Sequence, residues 1–87
     1  MSDHPTDFQG DIPTAIRDAV RKQIPDAVVE ASGGNGHWTL TVTSTIFAGK
    51  STLQSHRLVM SAIAHLLAGA APPIHAVDTL VTRVPNT

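Results

Sequence analysis

Histidine is the side chain through which this 87-residue chain could do chemistry, since it contains five histidines and no cysteine. Within this chain, the lack of a thiol excludes a cysteine nucleophile, a disulfide and a thiolate-ligated metal site. Neutral imidazole binds iron, zinc or copper well when its second nitrogen is held in place. Metal coordination is therefore the first chemistry to consider. His37 and His75 are the first candidates, because each opens a predicted strand.

Catalytic motifs are scarce, and we predict that the protein is not an enzyme. None of the serines lies in a Gly-x-Ser-x-Gly turn, and neither Glu30 nor Asp78 has an evident partner. Residues 49–51 (GKS) match the end of a phosphate-binding P-loop, but Ser44 stands where that motif needs its first glycine. A turn glycine followed by a serine helix cap is enough to account for this run.

Composition and charge exclude several other classes of protein. With 41% hydrophobic and 15% charged residues, the chain is predicted to fold as one domain over residues 11–87, after a flexible polar tail at 1–10. A formal net charge of −1 is unfavourable for nucleic-acid binding, whose affinity comes largely from phosphate neutralisation. No apolar run approaches the ~20 residues that span a bilayer, and the acidic N-terminus is unlike a presequence. We therefore predict a soluble, cytoplasmic protein with no membrane partner.

Periodicity and turn residues predict the elements that position the histidines. A first helix begins with Asp11 as its cap and ends before Pro25, because the residue before a proline is pushed out of the helical region. The β-branched run 27–31 predicts a first strand, and residues 33–36 (GGNG) predict a flexible hairpin connection. Residues 38–43 alternate between large apolar side chains and threonines, which is typical of a half-buried second strand.

A connection, a second helix and a third strand complete the pattern. Ile46 and Phe47 in the connection are expected to pack under the sheet. The second helix is predicted at 51–67 and the third strand at 75–84. The helix is predicted to bury Leu53, Leu58, Val59, Ala62, Ile63, Leu66 and Leu67 and to leave Gln54, Ser55 and Ser61 outside, and the strand to share one face among Val77, Thr79 and Val81.

The order of these elements predicts an α+β fold, with helices on one face of a three-stranded mixed sheet. The first two strands must be antiparallel because a tight loop joins them. The second and third are joined by a long helical crossover, which normally returns the chain parallel and right-handed. If these two strands are neighbours, His37 and His75 start at the same end of the sheet. Residues 38 apart in sequence would then meet at one edge.

The histidine pair has a metal-binding interpretation and a plainer one. Two imidazoles cannot complete a four-ligand site, so a metal here would need ligands from a second molecule. The alternative is that both rings merely pack or face water. His56, beside Arg57 on the second helix, is also interpretable as a partly buried structural side chain. Residues 33–36 have the G-x-x-G spacing of a KH loop, but they join strands rather than helices.

Three segments of the chain resemble the BolA family: residues 47–51 (FAGKS), 55–59 (SHRLV) and 74–77 (IHAV). They match the family patterns F-x-G, R-H-R-x-V and I-H-A-[LV] in order and spacing, with Ser55 where the family usually has a basic residue. Residues 34–38 (GNGHW) resemble the G-[DE]-G-[SC]-H-F stretch of the subgroup with a histidine in its first hairpin loop. The resemblance covers about residues 12–84.

This resemblance implies an α-β-β-α-(α)-β fold similar to type II KH domains, and it implies a partner. BolA-like proteins pair with monothiol glutaredoxins and share a [2Fe–2S] cluster, to which glutaredoxin and glutathione supply thiolates. The family's C-terminal ligand falls on His75 and its variable hairpin-loop ligand on His37, and no cluster is expected in the isolated chain. Mixed thiolate and imidazole ligands raise the cluster potential and make the imidazole bonds sensitive to protonation. Cluster trafficking or iron regulation is the implied function.

A second function follows from family members described as transcriptional regulators. Under that hypothesis DNA is the partner, and it binds the KH-like sheet and the helix face carrying Lys50, His56 and Arg57, which are predicted as nucleic-acid or partner contacts. Only six Lys and Arg residues argue against strong intrinsic affinity. Alone, the protein is expected to be a monomer or a weak homodimer.

Overall fold

In the computed structural model, which describes residues 11–86, two helices pack on one face of a three-stranded sheet. The predicted tail, residues 1–10, lies outside the described residues, as does Thr87. None of the helices within 11–86 is long and apolar enough to cross a membrane. The elements are α1 (Ile12–Gln23), β1 (Val28–Gly34), β2 (His37–Thr43), a 3-10 turn (Thr45–Phe47), α2 (Thr52–Leu67) and β3 (Ala76–Arg83).

The sheet has the order β1-β2-β3, which confirms the predicted mixed topology. β1 and β2 are antiparallel, with Val28 opposite Thr43 and Gly34 opposite His37. β2 and β3 are parallel, with His37 opposite Ala76 at the start of the pairing. Because α2 forms the crossover between β2 and β3, both strands begin at the same edge of the sheet.

The first helix begins and ends where its residues dictate. Asp11 is the N-cap, and its Oδ2 accepts a hydrogen bond of 2.9 Å from the backbone N–H of Thr14. The helix ends at Gln23, and Ile24 has left the helical region ahead of Pro25. Ile16 and Val20 lie on the inner face and are completely buried. The predicted boundaries of this helix are therefore confirmed.

The second helix begins with a complete capping box. Ser51 accepts from the backbone N–H of Gln54 at 3.1 Å, while the Gln54 side chain accepts from the backbone N–H of Ser51 at 3.0 Å. Gly49 precedes it with a φ of 76°. The glycine therefore makes the turn and the serine caps the helix, as the simpler interpretation of residues 49–51 predicted.

The buried face of α2 is rotated from the predicted one. Leu53 was predicted inside but is 59% exposed, whereas Ser55 was predicted outside but is 2% exposed. Leu53 lies six residues before the buried Val59, about 240° around a helix, while Ser55 lies four residues before it, about 40° away. Geometry therefore puts the serine on the buried stripe and the leucine off it.

The connection before α2 departs from prediction in two ways. The expected fold has room for an additional helix after the second one, but between α2 and β3 the structure has none, and the extra element is a one-turn 3-10 helix, Thr45–Phe47, that precedes α2. Phe47 is buried as predicted, but Ile46 is 38% exposed. Residues three apart share a face in a 3-10 helix, so Ser44 and Phe47 both face the core and Ile46 cannot.

Strand β3 does not alternate strictly, because it contains a bulge. Trp38 lies opposite Val77 while Thr39 lies opposite Thr79, so Asp78 is an extra residue in the ladder. Val77 and Leu80 both pack against the core. The prediction that Val77 and Thr79 share a face with Val81 is therefore wrong, since the extra residue shifts the phase of the strand.

The core lies between the helices and the inner face of the sheet. Side chains from both helices, the middle strand and the segment before β3 fill it. Its completely buried apolar residues are Ile16, Val20, Leu40, Val42, Val59, Ile63 and Ile74.

A polar network anchors the connection between β2 and α2. The Asp26 carboxylate accepts hydrogen bonds from Ser44 Oγ at 2.5 Å, from Thr45 Oγ1 at 2.9 Å and from the Thr45 backbone N–H at 3.1 Å. The Ser44 hydroxyl, followed by the two Thr45 donors, holds the pKa of the Asp26 carboxyl below its ordinary value. The network joins the turn after α1 to the start of the 3-10 turn.

We expect Asp26→Asn to lower the melting temperature at pH 7, because the amide offers one acceptor atom where the carboxylate offers two charged ones. The lowered pKa means that the ionised carboxylate stabilises the fold above the ordinary aspartate value of about 3.9, and this stabilisation is lost as pH falls through the folded value. Melting curves between pH 7 and pH 2 should therefore converge for the two proteins. Glu30→Gln, on the exposed face of β1, is the control. An equal shift in both variants at pH 7 would refute the role of the network.

Candidate metal-ligand edge

The two candidate histidines lie at the edge where β2 and β3 begin. His37 is the first residue of β2, and His75 immediately precedes β3. The backbone N–H groups of His75 and Ala76 donate to the carbonyl of Gly36 at 2.8 and 3.0 Å. These two bonds tie the start of β3 to the hairpin, so the chain segments that carry the histidines are held against each other.

The hairpin turn is tighter than predicted. Gly33 and Gly34 belong to β1, which extends three residues beyond the predicted end at residue 31, and only Asn35 and Gly36 form the turn. Both have positive φ, 54° and 83°, as a two-residue type I′ connection requires. Because this turn is short, it carries Gly36 directly against the His75 side chain.

Gly36 leaves space that no larger residue could. A Cβ added at Gly36 would lie 2.9 Å from Cγ of His75 and 3.0 Å from its Cδ2. At Gly34, in contrast, an added Cβ would meet nothing within 4 Å. Because Gly36 has no side chain, the imidazole of His75 can pack directly against the turn.

The two imidazoles lie close to each other without stacking. Their ring centres are 6.3 Å apart and their planes are tilted by 58°. Both residues are exposed. With a metal–nitrogen bond of about 2.1 Å, a metal lies a little over ~3 Å from the centre of its imidazole, so the centres of two rings on one tetrahedral metal lie roughly 5.3 Å apart. The 6.3 Å spacing of His37 and His75 is about 1 Å wider, so the two exposed rings would have to turn toward each other to share a metal atom.

Asp78 has a partner that the sequence did not reveal. Its Oδ1 lies 3.1 Å from Nδ1 of His37, across the β2–β3 pairing. The sequence-based statement that Asp78 lacks an evident partner is therefore wrong. A strictly alternating strand gives no reason to single out Asp78. The bulge that makes it an extra residue has no recognisable sequence signal.

The chain supplies only part of a coordination shell. Within residues 11–86, no group of three or more His, Cys, Asp or Glu side chains is arranged to hold a metal ion. Two imidazoles at an exposed edge fit a centre whose remaining ligands come from another molecule, because iron–sulfur and zinc centres need more donors than two.

The predicted contact residues in α2 and just before it separate into two groups. Lys50 and Arg57 line one shallow cavity of about 320 Å³. His56 is half-buried and does not line that cavity. His56 therefore fits the structural interpretation better than the contact one. Gln54, Leu58 and Ser61 form the rest of the cavity.

A protein-family model and a curated relative both match this chain, and both are described as BolA-like. The family model described as BolA-like protein matches residues 15–86. BolA-like protein 1 of Pongo abelii is 36% identical over 77% of this chain and 54% of its own length, so the chain spans about half the length of that curated relative.

Solved structures agree with the family match. BolA1 from Mus musculus, solved in solution, has a TM-score of 0.69 and 30% identity, covering 98% of this chain and 74% of that one. A bolA protein homologue from Coxiella burnetii has a TM-score of 0.70 and 27% identity, covering 87% of this chain and 94% of that one.

Proposed function

The chain belongs to the BolA-like protein family, and from that premise we propose that it is a non-enzymatic iron–sulfur accessory protein. It would share a [2Fe–2S] cluster with a monothiol glutaredoxin and glutathione. The observation that carries the proposal is the meeting of His37 and His75, 38 positions apart in sequence, with ring centres 6.3 Å apart. The proposed location is the cytoplasm, as the sequence predicts.

The incompleteness of the site supports a shared cluster rather than a resident metal. His37 and His75 would hold one side of the cluster, and the thiolates of glutaredoxin and glutathione would hold the other. Because the side chain of His37 is 57% exposed, a second protein can approach it without any rearrangement of the core. The same exposure leaves the imidazole in contact with solvent.

A bound cluster would supply labile iron and sulfide together with a one-electron couple whose potential imidazole ligands raise. The role of this chain is to present two neutral imidazoles at a fixed separation. Protonation of either ring removes a ligand, because only the neutral form binds a metal. Such a ligand set favours release or transfer of the cluster, in trafficking or iron regulation.

The test is co-purification with a monothiol glutaredoxin in the presence of glutathione, with iron and labile sulfide measured on the product. We expect a coloured complex whose absorption and circular dichroism spectra change in His75→Ala and in His37→Ala. His65→Ala, an exposed histidine in the last turn of α2, is the matched control and should leave the spectra unchanged. Unchanged spectra in both ligand variants would refute the ligand assignment.

Nucleic-acid binding is the second candidate function. Its support is that Lys50, just before α2, and Arg57, seven residues later in α2, line one cavity. A titration with duplex DNA at two salt concentrations tests it, since phosphate contacts give a steep dependence on salt. Absence of binding at moderate salt would dismiss this function.

A further inference from the structure

The contact between Asp78 and His37 fixes which nitrogen of the imidazole is free. An ionised carboxylate can only accept hydrogen bonds, so Nδ1 of His37 must carry the proton in the 3.1 Å contact with Oδ1 of Asp78. In a neutral imidazole with the proton on Nδ1, the lone pair available to a metal is on Nε2. The contact therefore selects both the tautomer and the ligand atom.

The bulge in β3 accounts for the position of this carboxylate. Asp78 is the residue skipped by the ladder between the Trp38–Val77 and Thr39–Thr79 pairs. Val77 packs against the core beside it, and Asp78 is exposed. A bulge disrupts the ladder at one residue and can redirect its side chain, while pairing resumes on either side with the register shifted by one. Here the redirected side chain reaches the first residue of the neighbouring strand.

Fold stability does not account for the pair. The side chains of His37 and Asp78 are 57% and 54% exposed. Ion pairs and hydrogen bonds with this exposure contribute little to stability, since water competes with both partners. The more specific consequence of the contact is orientation, because an exposed imidazole without a partner could rotate and exchange tautomers.

We infer that Asp78 is a positioning residue, which holds the Nδ1 proton of His37 and presents Nε2 of His37 to a metal at the His37–His75 edge. The inference rests on the proposed function for the identity of that metal centre. It goes beyond that function because Asp78 is not one of the proposed ligands. A carboxylate on the far nitrogen of a metal-bound histidine fixes the ring and increases its basicity as a ligand.

The first test uses the metal-free chain, so it does not depend on the proposed function. Long-range ¹H–¹⁵N correlation at about pH 8.5, where an ordinary imidazole is neutral, reports the tautomer of each histidine. We expect the proton of His37 on Nδ1 in the wild type and a shift toward Nε2 in Asp78→Ala. Asp78→Asn keeps an acceptor oxygen and should retain most of the wild-type signal, and Thr79→Ala is the control in the same strand.

The second test measures retention of the cluster by the complex with glutaredoxin. Loss of a carboxylate that supports a ligand weakens metal binding by about 10- to 100-fold, and we expect this in Asp78→Ala with partial rescue in Asp78→Asn. A wild-type His37 with its proton on Nε2, or the same tautomer in Asp78→Ala, would overturn the inference. A wild-type complex without a cluster would instead overturn the proposed function and leave the tautomer result standing.

Discussion

Alanine at position 36 is expected to displace the imidazole of His75, whereas alanine at position 49 leaves it in place. The two glycines have nearly the same φ, 83° and 76°, so both variants carry a similar backbone strain of about 1–2 kcal/mol. They differ in space. An added Cβ lies 2.9 Å from Cγ of His75 at position 36 and meets nothing within 4 Å at position 49. A displacement of the His75 ring that occurs only in the variant at position 36 is therefore the effect expected of this steric contact.

Two measurements follow this displacement. In the metal-free chain, the ring resonances of His75 should shift in Gly36→Ala and stay unchanged in Gly49→Ala. In the glutaredoxin complex, cluster binding should weaken on the order of ten-fold or more in Gly36→Ala only, since the ligand is no longer held in place. Equal cluster retention in both variants would show that the turn does not position His75.

Replacing Leu66 with alanine is expected to reduce the free energy of unfolding by about 2–5 kcal/mol, the usual cost of removing a buried leucine side chain. Leu66 is 7% exposed on the inner face of α2. Leu53→Ala makes the same chemical change in the same helix at a side chain that is 59% exposed, and it should cost less than about 1 kcal/mol. A domain of this size has only about 4–13 kcal/mol of stability, so the first variant should be visibly less stable.

Urea denaturation of both leucine variants checks this prediction through their midpoints at constant slope. The pair also tests the orientation of α2, because the sequence-based pattern placed both leucines on the buried stripe. Comparable losses of stability would mean that Leu53 is buried after all and that the helix is rotated from the orientation described above.

The topology and the meeting of the histidines could be predicted because each rests on a strong local signal. The tight glycine-rich connection requires β1 and β2 to be antiparallel, and the long helical crossover favours a parallel β3. Once β2 and β3 are parallel neighbours, His37 and His75 must lie at the same edge of the sheet, because each stands at the start of its strand. Their proposed role as cluster ligands stays a prediction.

The details that escaped prediction depend on packing between elements. Val77 and Leu80, three residues apart, both pack against the core, which a strictly alternating strand does not allow and the bulge at Asp78 does. Leu53 is as apolar as its buried neighbours, so hydrophobicity alone does not separate it from the core, whereas its angular position on the helix does. The Asp78–His37 contact is therefore a product of tertiary structure.

The most direct measurement is pulsed electron paramagnetic resonance of the reduced cluster in the glutaredoxin complex, with ¹⁵N-histidine incorporated only into this chain. If His37 and His75 are ligands, two strongly coupled ¹⁵N nuclei will appear, and His37→Ala and His75→Ala will each remove one of them or abolish the cluster. A cluster in the wild-type complex that shows no coupling to labelled nitrogen would contradict the assignment, because every ligand would then come from the other molecules.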